Sequence, residues 1–115
     1  MPDALDLARK AVEVASDKQA VDVLLLDLRD LASFTDFFVI LSAETARHLD
    51  ALAQELTQAL EQEGAVLHHL EGSAEGGWVV LDFGDFVVHL FTPEERDYYR
   101  LEDLWSRATP LLRVQ

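Results

Sequence analysis

The 115-residue chain contains no cysteine, and that absence removes disulfide scaffolds, thiol catalysis and cysteine-based zinc sites together. Basic residues are scarce as well. Nine Lys and Arg stand against 22 Asp and Glu, a formal net charge of -13. No Lys/Arg cluster is present to release counterions from nucleic-acid phosphates, so extensive direct RNA or DNA contact is not expected. Long apolar runs are missing too: Phe37 to Leu41 and Trp78 to Leu81 fall far short of the ~20 residues that span a bilayer. The start, Met1-Pro2-Asp3-Ala4-Leu5-Asp6, carries acids where a secretory leader carries bases. These features predict one domain over residues 1–115, cytoplasmic and not membrane-bound, able to bury about two thirds of its unfolded surface without a staple.

What is present in quantity is apolar residues, half of the chain. They concentrate in Gly77-Trp78-Val79-Val80-Leu81-Asp82-Phe83-Gly84-Asp85-Phe86-Val87-Val88-His89-Leu90-Phe91, which reads as a hairpin with its tip at Phe83-Gly84. Trp78, Val80 and Asp82 share one face of its first strand, and Val79, Leu81 and Phe83 the other. A half-exposed hairpin alternates with polar residues, but here both faces are mostly apolar. The pair therefore either lies centrally in a sheet covered on both sides or offers one apolar face to a partner.

Around the hairpin the periodicity predicts a helix over residues 3–17 capped by Asp3, an inner strand at Val21–Asp27, a loop from Leu28 to Asp36 and a strand at Phe37–Leu41. A long helix follows, with Ser42 as its cap, Ala46, Leu49, Leu52, Ala53, Leu56, Ala59 and Leu60 on one face, and Gly64 as its stop. Val66–Leu70 is expected as a strand, and Glu71–Gly77 as a flexible connector. Thr92-Pro93-Glu94-Glu95 reads as a capping box opening a last helix that Pro110 ends. The expected architecture is α/β, in the sense of an α+β sandwich around a mixed five-stranded sheet flanked by helices.

Candidate chemistry is thin. Asp82-Phe83-Gly84 copies the metal-binding triplet of protein kinases, but the rest of that apparatus is missing. Asp82 and Asp85 are compatible with a carboxylate pair on a divalent cation, but acids at the shoulders of a hairpin turn more often accept backbone hydrogen bonds or face water. His68 and His69, adjacent on a strand, point to opposite faces and cannot chelate one ion together. His89 alternates with apolar neighbours as a hydrogen-bonded core histidine does. Thr35-Asp36 is either a small functional loop or a polar turn. No resident metal or cofactor is expected. The aromatic and apolar groups of the C-terminal third, Tyr98, Tyr99, Leu101, Leu104 and Trp105 together with Trp78, are hard to bury fully in a small domain and belong to the types that dominate interfaces.

The residues Thr35-Asp36-Phe37-Phe38-Val39-Ile40, Arg47, Glu71-Gly72, Gly77 to Asp85, Val87-Val88-His89-Leu90-Phe91, Arg96, Tyr99 and Leu101-Glu102-Asp103-Leu104-Trp105 together resemble the ribosomal silencing factor family, also called Iojap-like proteins. The resemblance runs through nearly the whole chain in order. It implies a nucleotidyltransferase-like fold without enzymatic activity. It also implies a partner, the large-subunit ribosomal protein of the L-fourteen family, whose occupation blocks subunit joining, and it implies frequent homodimers when free. One departure is Ala43-Glu44-Thr45 where the family has a Gly-Thr-Ser-like turn, with His48 where Gln is common. The expected partner-binding residues are Trp78, Val80, Asp82, Asp85, Tyr99, Leu101, Leu104 and Trp105, the last three of them docking or anchoring the final helix. Two rivals remain open at this level: a metal-dependent nucleotidyltransferase-like enzyme using Asp82 and Asp85, and a homodimeric structural domain that buries the aromatic patch between copies.

Overall fold

The computed structural model describes residues 3–115; Met1 and Pro2, part of the acidic start, lie outside the described residues. Helix α1 (Ala4–Asp17) begins at Asp3, whose carboxylate accepts from the Asp6 N–H while the Asp6 side chain accepts from the Asp3 N–H. Ala8, Ala11, Val12 and Ala15 form its buried stripe. Strands β1 (Val21–Asp27) and β2 (Phe37–Ser42) pair antiparallel. Helix α2 (Ala46–Gln62) is capped by Thr45, which accepts from the His48 N–H at 3.0 Å, so the glycine-free Ala43-Glu44-Thr45 turn starts a helix without difficulty. Ser42, expected as that cap, is instead the buried last residue of β2.

The sheet has six strands, not five, in the order β3-β4-β5-β2-β1-β6. The additional strand is β6 (Thr109–Val114), antiparallel to β1 at the edge. The helical segment stops at Leu104, ahead of Pro110, which was expected to end it; Pro110 lies instead within the strand, where an edge position uses only one side of its ladder and tolerates proline. The hairpin forms as expected from β4 (Trp78–Asp82) and β5 (Phe86–Phe91), and β5 runs parallel to β2, making the sheet mixed.

Strand β3 (His69–Ser73) lies three residues later than the predicted Val66–Leu70 and takes up the first half of the expected flexible connector. Cross-strand register decides this: His69 pairs with Asp82 and Ser73 with Trp78, so β3 starts where the partner strand ends. Within it Gly72 has φ +78°, and a Cβ there would collide with the Trp78 carbonyl, so only glycine fits.

The final helix is broken in two, α3 (Pro93–Tyr99) and α4 (Leu101–Leu104), at Arg100, which sits in the left-handed region (φ 50°, ψ 51°). Thr92 occupies the N-cap with Pro93 behind it, but no side-chain cap bond closes, which corrects the expected capping box. Tertiary bonds from Arg96 tie the segment down instead. Its buried guanidinium donates to Glu102 Oε2 (2.9 Å), to the Asp22 carbonyl (2.6 Å) and to Ser42 Oγ (3.0 Å). One side chain thereby joins α3, α4 and the ends of β1 and β2.

Two apolar layers result, one on each side of the sheet. The layer under α1 and α2 contains Val23, Leu25, Phe37, Val39, Leu41, Leu81, Phe86, Val88 and Leu90. The opposite layer is smaller: Leu24, Leu26, Leu28, Phe38, Ile40, Val87, Phe91, Leu101 and Ala108, with Trp78, Val80 and Trp105 packed against it half-buried. Replacing Arg96 with Leu should cost about 2 to 4 kcal/mol in urea unfolding, because Glu102 and Ser42 lose their partner in a mostly buried place. Adding Glu102→Leu should recover part of that loss, and a cost below about 0.5 kcal/mol for Arg96→Leu would contradict the clamp.

Candidate docking face

The side of the sheet opposite α1 and α2 carries a continuous row of aromatic rings. Tyr98 meets Tyr99 edge-on at 5.0 Å, and Tyr99 lies 4.5 Å from Trp78 between ring centroids. Trp78 stacks on Phe91 at 4.9 Å and tilts against His89 at 5.9 Å. His89 meets Phe38 edge-on at 4.6 Å, Phe38 meets Trp105 at 5.6 Å, and Trp105 meets Phe34 at 5.9 Å. Sheet register explains the alignment: Trp78 sits opposite Phe91 on the neighbouring strand, and Val80 opposite His89. Side chains two apart on a strand share a face, so β4 and β5 lay down two parallel columns of it.

Helical cover over this row is incomplete. Segments α3 and α4 are short, and Tyr98 (77%), Leu104 (75%), Phe34 (61%) and Tyr99 (42%) remain exposed. Of the residues expected at a partner surface, Trp78, Val80, Asp82, Tyr99 and Trp105 are brought together on or beside the row, and Leu104 projects from it. Leu101 is buried under α4 and serves as its anchor. Asp85 is exposed at the hairpin turn. Asp82 accepts the Gly84 N–H at 2.8 Å, the backbone-accepting alternative of the two readings of that acid.

Thr35 is buried, its hydroxyl without a hydrogen-bond partner, and Asp36 acts through its backbone. The Asp36 N–H donates to the Asp85 carbonyl (2.9 Å), and its own carbonyl accepts from Leu28 (2.8 Å). Together they pin the loop to the hairpin turn and hold Phe34 against Trp105. Phe34 was not singled out from sequence as a partner residue, whereas Tyr98 was grouped with the interface-type aromatics of the C-terminal third. The available signal for Phe34 was a large aromatic in a polar loop, on no helical or strand period.

His89 is the electrostatic centre of the row. The Trp78 indole N–H donates to its Nδ1 at 3.2 Å, which places the imidazole proton on Nε2. Nε2 is buried without a hydrogen-bond partner. Burial lowers the pKa to about 4, against a smaller upward pull from Asp82. The ring is therefore neutral at pH 7 and behaves as part of the apolar surface. Beside α3 and α4 lies a polar hollow of about 330 Å³ whose cations are already committed, Arg96 to Glu102 and Arg100 to Asp103. Among the described residues no cluster of three or more His, Asp or Glu groups has metal-ligating geometry.

The geometry is that of a small α/β domain whose sheet presents one partly covered aromatic face. A family model described as "Ribosomal silencing factor during starvation" matches residues 1–115, and the chain belongs to that family. It is 37% identical over 103 residues to the ribosomal silencing factor RsfS of Halalkalibacterium halodurans, covering 90% of this chain and 88% of that one. Identity to the RsfS of Bacillus subtilis is also 37%, over 98 residues, covering 85% and 83%. A crystal structure of a protein from Chromobacterium violaceum superposes with a TM-score of 0.87 at 31% identity, over 99% of this chain and 95% of that one. The family is one of ribosomal silencing factors.

Because the folded His89 pKa lies below the unfolded value near 6.5, the unfolded chain binds the extra proton between about pH 6.5 and 4. Stability from this group is complete above pH 6.5 and declines as pH falls toward 4. About 2 kcal/mol should be lost between pH 7.5 and pH 5 from this group alone. Urea unfolding at the two pH values should show that loss in the native chain and a smaller one in His89→Gln; equal slopes would refute the assignment.

Proposed function

We propose that this chain silences translation by docking its aromatic face on the large-subunit ribosomal protein of the L-fourteen family, so that its bulk occupies the surface on which the small subunit would join. The observation that carries the reading is the half-covered row from Tyr99 through Trp78 and Trp105 to Phe34. Rings of this type, clustered on a rigid sheet and rimmed by acids, are the usual anchors of protein interfaces. Family membership supports a ribosomal target. The charge of -13 favours a basic ribosomal protein over bare RNA and speeds association at low salt. Nothing is turned over: potency depends on affinity and on where the domain sits. The nucleotidyltransferase-like scaffold implied by the family resemblance serves here as a platform, with Asp82 holding the turn rather than a cation. We place this activity in the cytoplasm.

A second occupant of the same face is a second copy of the chain. The exposed Tyr98, Tyr99 and Leu104 favour some cover in the free protein. The like charge of two copies opposes it, so the basic partner displaces the copy. Sedimentation with and without the ribosomal protein tests this: a shared face requires the partner to split any dimer.

The decisive variants are Leu104→Arg and Trp78→Ala. Leu104 is largely exposed, so its replacement should leave melting unchanged and weaken binding of the purified ribosomal protein at least tenfold. Trp78→Ala should weaken binding by about 2 kcal/mol or more. It should also lower stability, because the ring stacks on Phe91. Calorimetric titration beside thermal melts separates the two effects. If both variants bind with native affinity, the face is misassigned.

A further inference from the structure

The opposite side of the molecule holds a second unfilled place. Helix α1 packs on β1 and β2, and α2 on β4 and β5, so β3 projects past the helical layer. Two helices packed roughly 10 Å apart cannot cover six strands spaced about 4.8 Å. The overhang leaves a groove of about 530 Å³ between the outer stripe of α2 and the underside of β3. Its floor is apolar, made of Ala53, Leu70, Ala74 and Val79, and Leu70 is 59% exposed although its side chain lies on the core side of the sheet. Asp50, Gln54, Gln58 and Glu61, spaced along three helical turns, form one wall.

We propose that this groove is a second docking site, whose occupant is an amphipathic helix of another protein with a Leu/Ala-type face and Lys/Arg flanks. The groove runs along about 17 Å of α2, the length of three helical turns, and an added helix would complete the layer over β3. Charge chooses among occupants. The groove is lined by Asp50 and Glu61 and by no Lys or Arg, with Glu75 close to its Ala74 end. A second copy of this chain would bring acids to acids, whereas basic flanks would pair with Asp50, Glu61 and Glu75 across an apolar seam. The site lies on the side of the sheet away from the aromatic face, so both can be occupied at once, and the proposal stands independently of what that face binds.

The probe is a synthetic four-turn helical peptide with Leu on one stripe and Lys on its flanks, titrated into the 15N-labelled chain. Two controls accompany it: the same peptide with Glu for Lys, and one of identical composition with the Leu stripe dispersed. Saturable shifts at Thr57, Leu70, Gly72 and Val79 are expected, with binding at least tenfold weaker for either control. Leu70→Glu, an exposed edge position, should weaken binding tenfold or more while leaving the spectrum folded. Equal binding of the dispersed peptide would show mere charge attraction. That result, shifts confined to the Trp78 and Trp105 face, or a Leu70→Glu variant that binds normally would each overturn the proposal.

Discussion

The structure depends on one constraint: the central strands β1, β2 and β5 are apolar on both faces, and the chain has full helical cover for only one of them. Helices α1 and α2 seal Val39, Leu41, Val88 and Leu90 completely. On the other side, Ile40 and Phe91 are buried by side chains from short segments, chiefly Leu101, Trp105 and Trp78. The two tryptophans hide what lies beneath them and remain partly exposed above, while Leu101 is itself buried. The open face is thus a geometric consequence of giving a doubly apolar sheet one and a half helical layers. Arg96 makes the half layer rigid, since without its bonds to Glu102, Ser42 and the Asp22 carbonyl, α3 and α4 would rest on the packing of Tyr99, Leu101 and Trp105.

Rigidity and openness together suit the steric role proposed for this face. A steric blocker needs a fixed orientation on its target, and the row of rings is fixed by sheet register on one side and by the Asp36 to Asp85 backbone bond on the other. Preorganised aromatic groups lose little conformational entropy on docking, so more of the contact energy appears as affinity. His89 fits the same logic. Kept neutral by burial, it lends the row an imidazole that accepts the Trp78 N–H and carries no charge that an apolar partner would have to desolvate.

Much of this was legible in the residues. The apolar runs Trp78 to Leu81 and Phe86 to Val88, separated by Asp82-Phe83-Gly84-Asp85, define the hairpin, and the period of two along each strand sorts its faces correctly. The periods of α1 and α2 were equally clear. What escaped depends on tertiary partners. β6 is short, mostly exposed and contains Pro110, so nothing local marks it as a strand; only the unpaired edge of β1 does. β3 takes its bounds from β4 and its bend from Gly72. The break at Arg100 follows from a left-handed residue that a helical period runs straight through. At the face itself, Trp78, Val80 and Trp105 could be named from type and motif, while Phe34 is recruited from a loop by backbone bonds that no pattern reveals.

The two tryptophans, Trp78 and Trp105, both lie on the proposed face and are the only two in the chain, which makes one measurement especially direct. Fluorine NMR of the 5-fluorotryptophan-labelled protein, with a soluble paramagnetic agent, reads the solvent access of those two rings alone. On saturation with the isolated L-fourteen-family protein, the account predicts that relaxation by the agent falls at both resonances. A complex that forms while both rings keep their free-state access to the agent would contradict it.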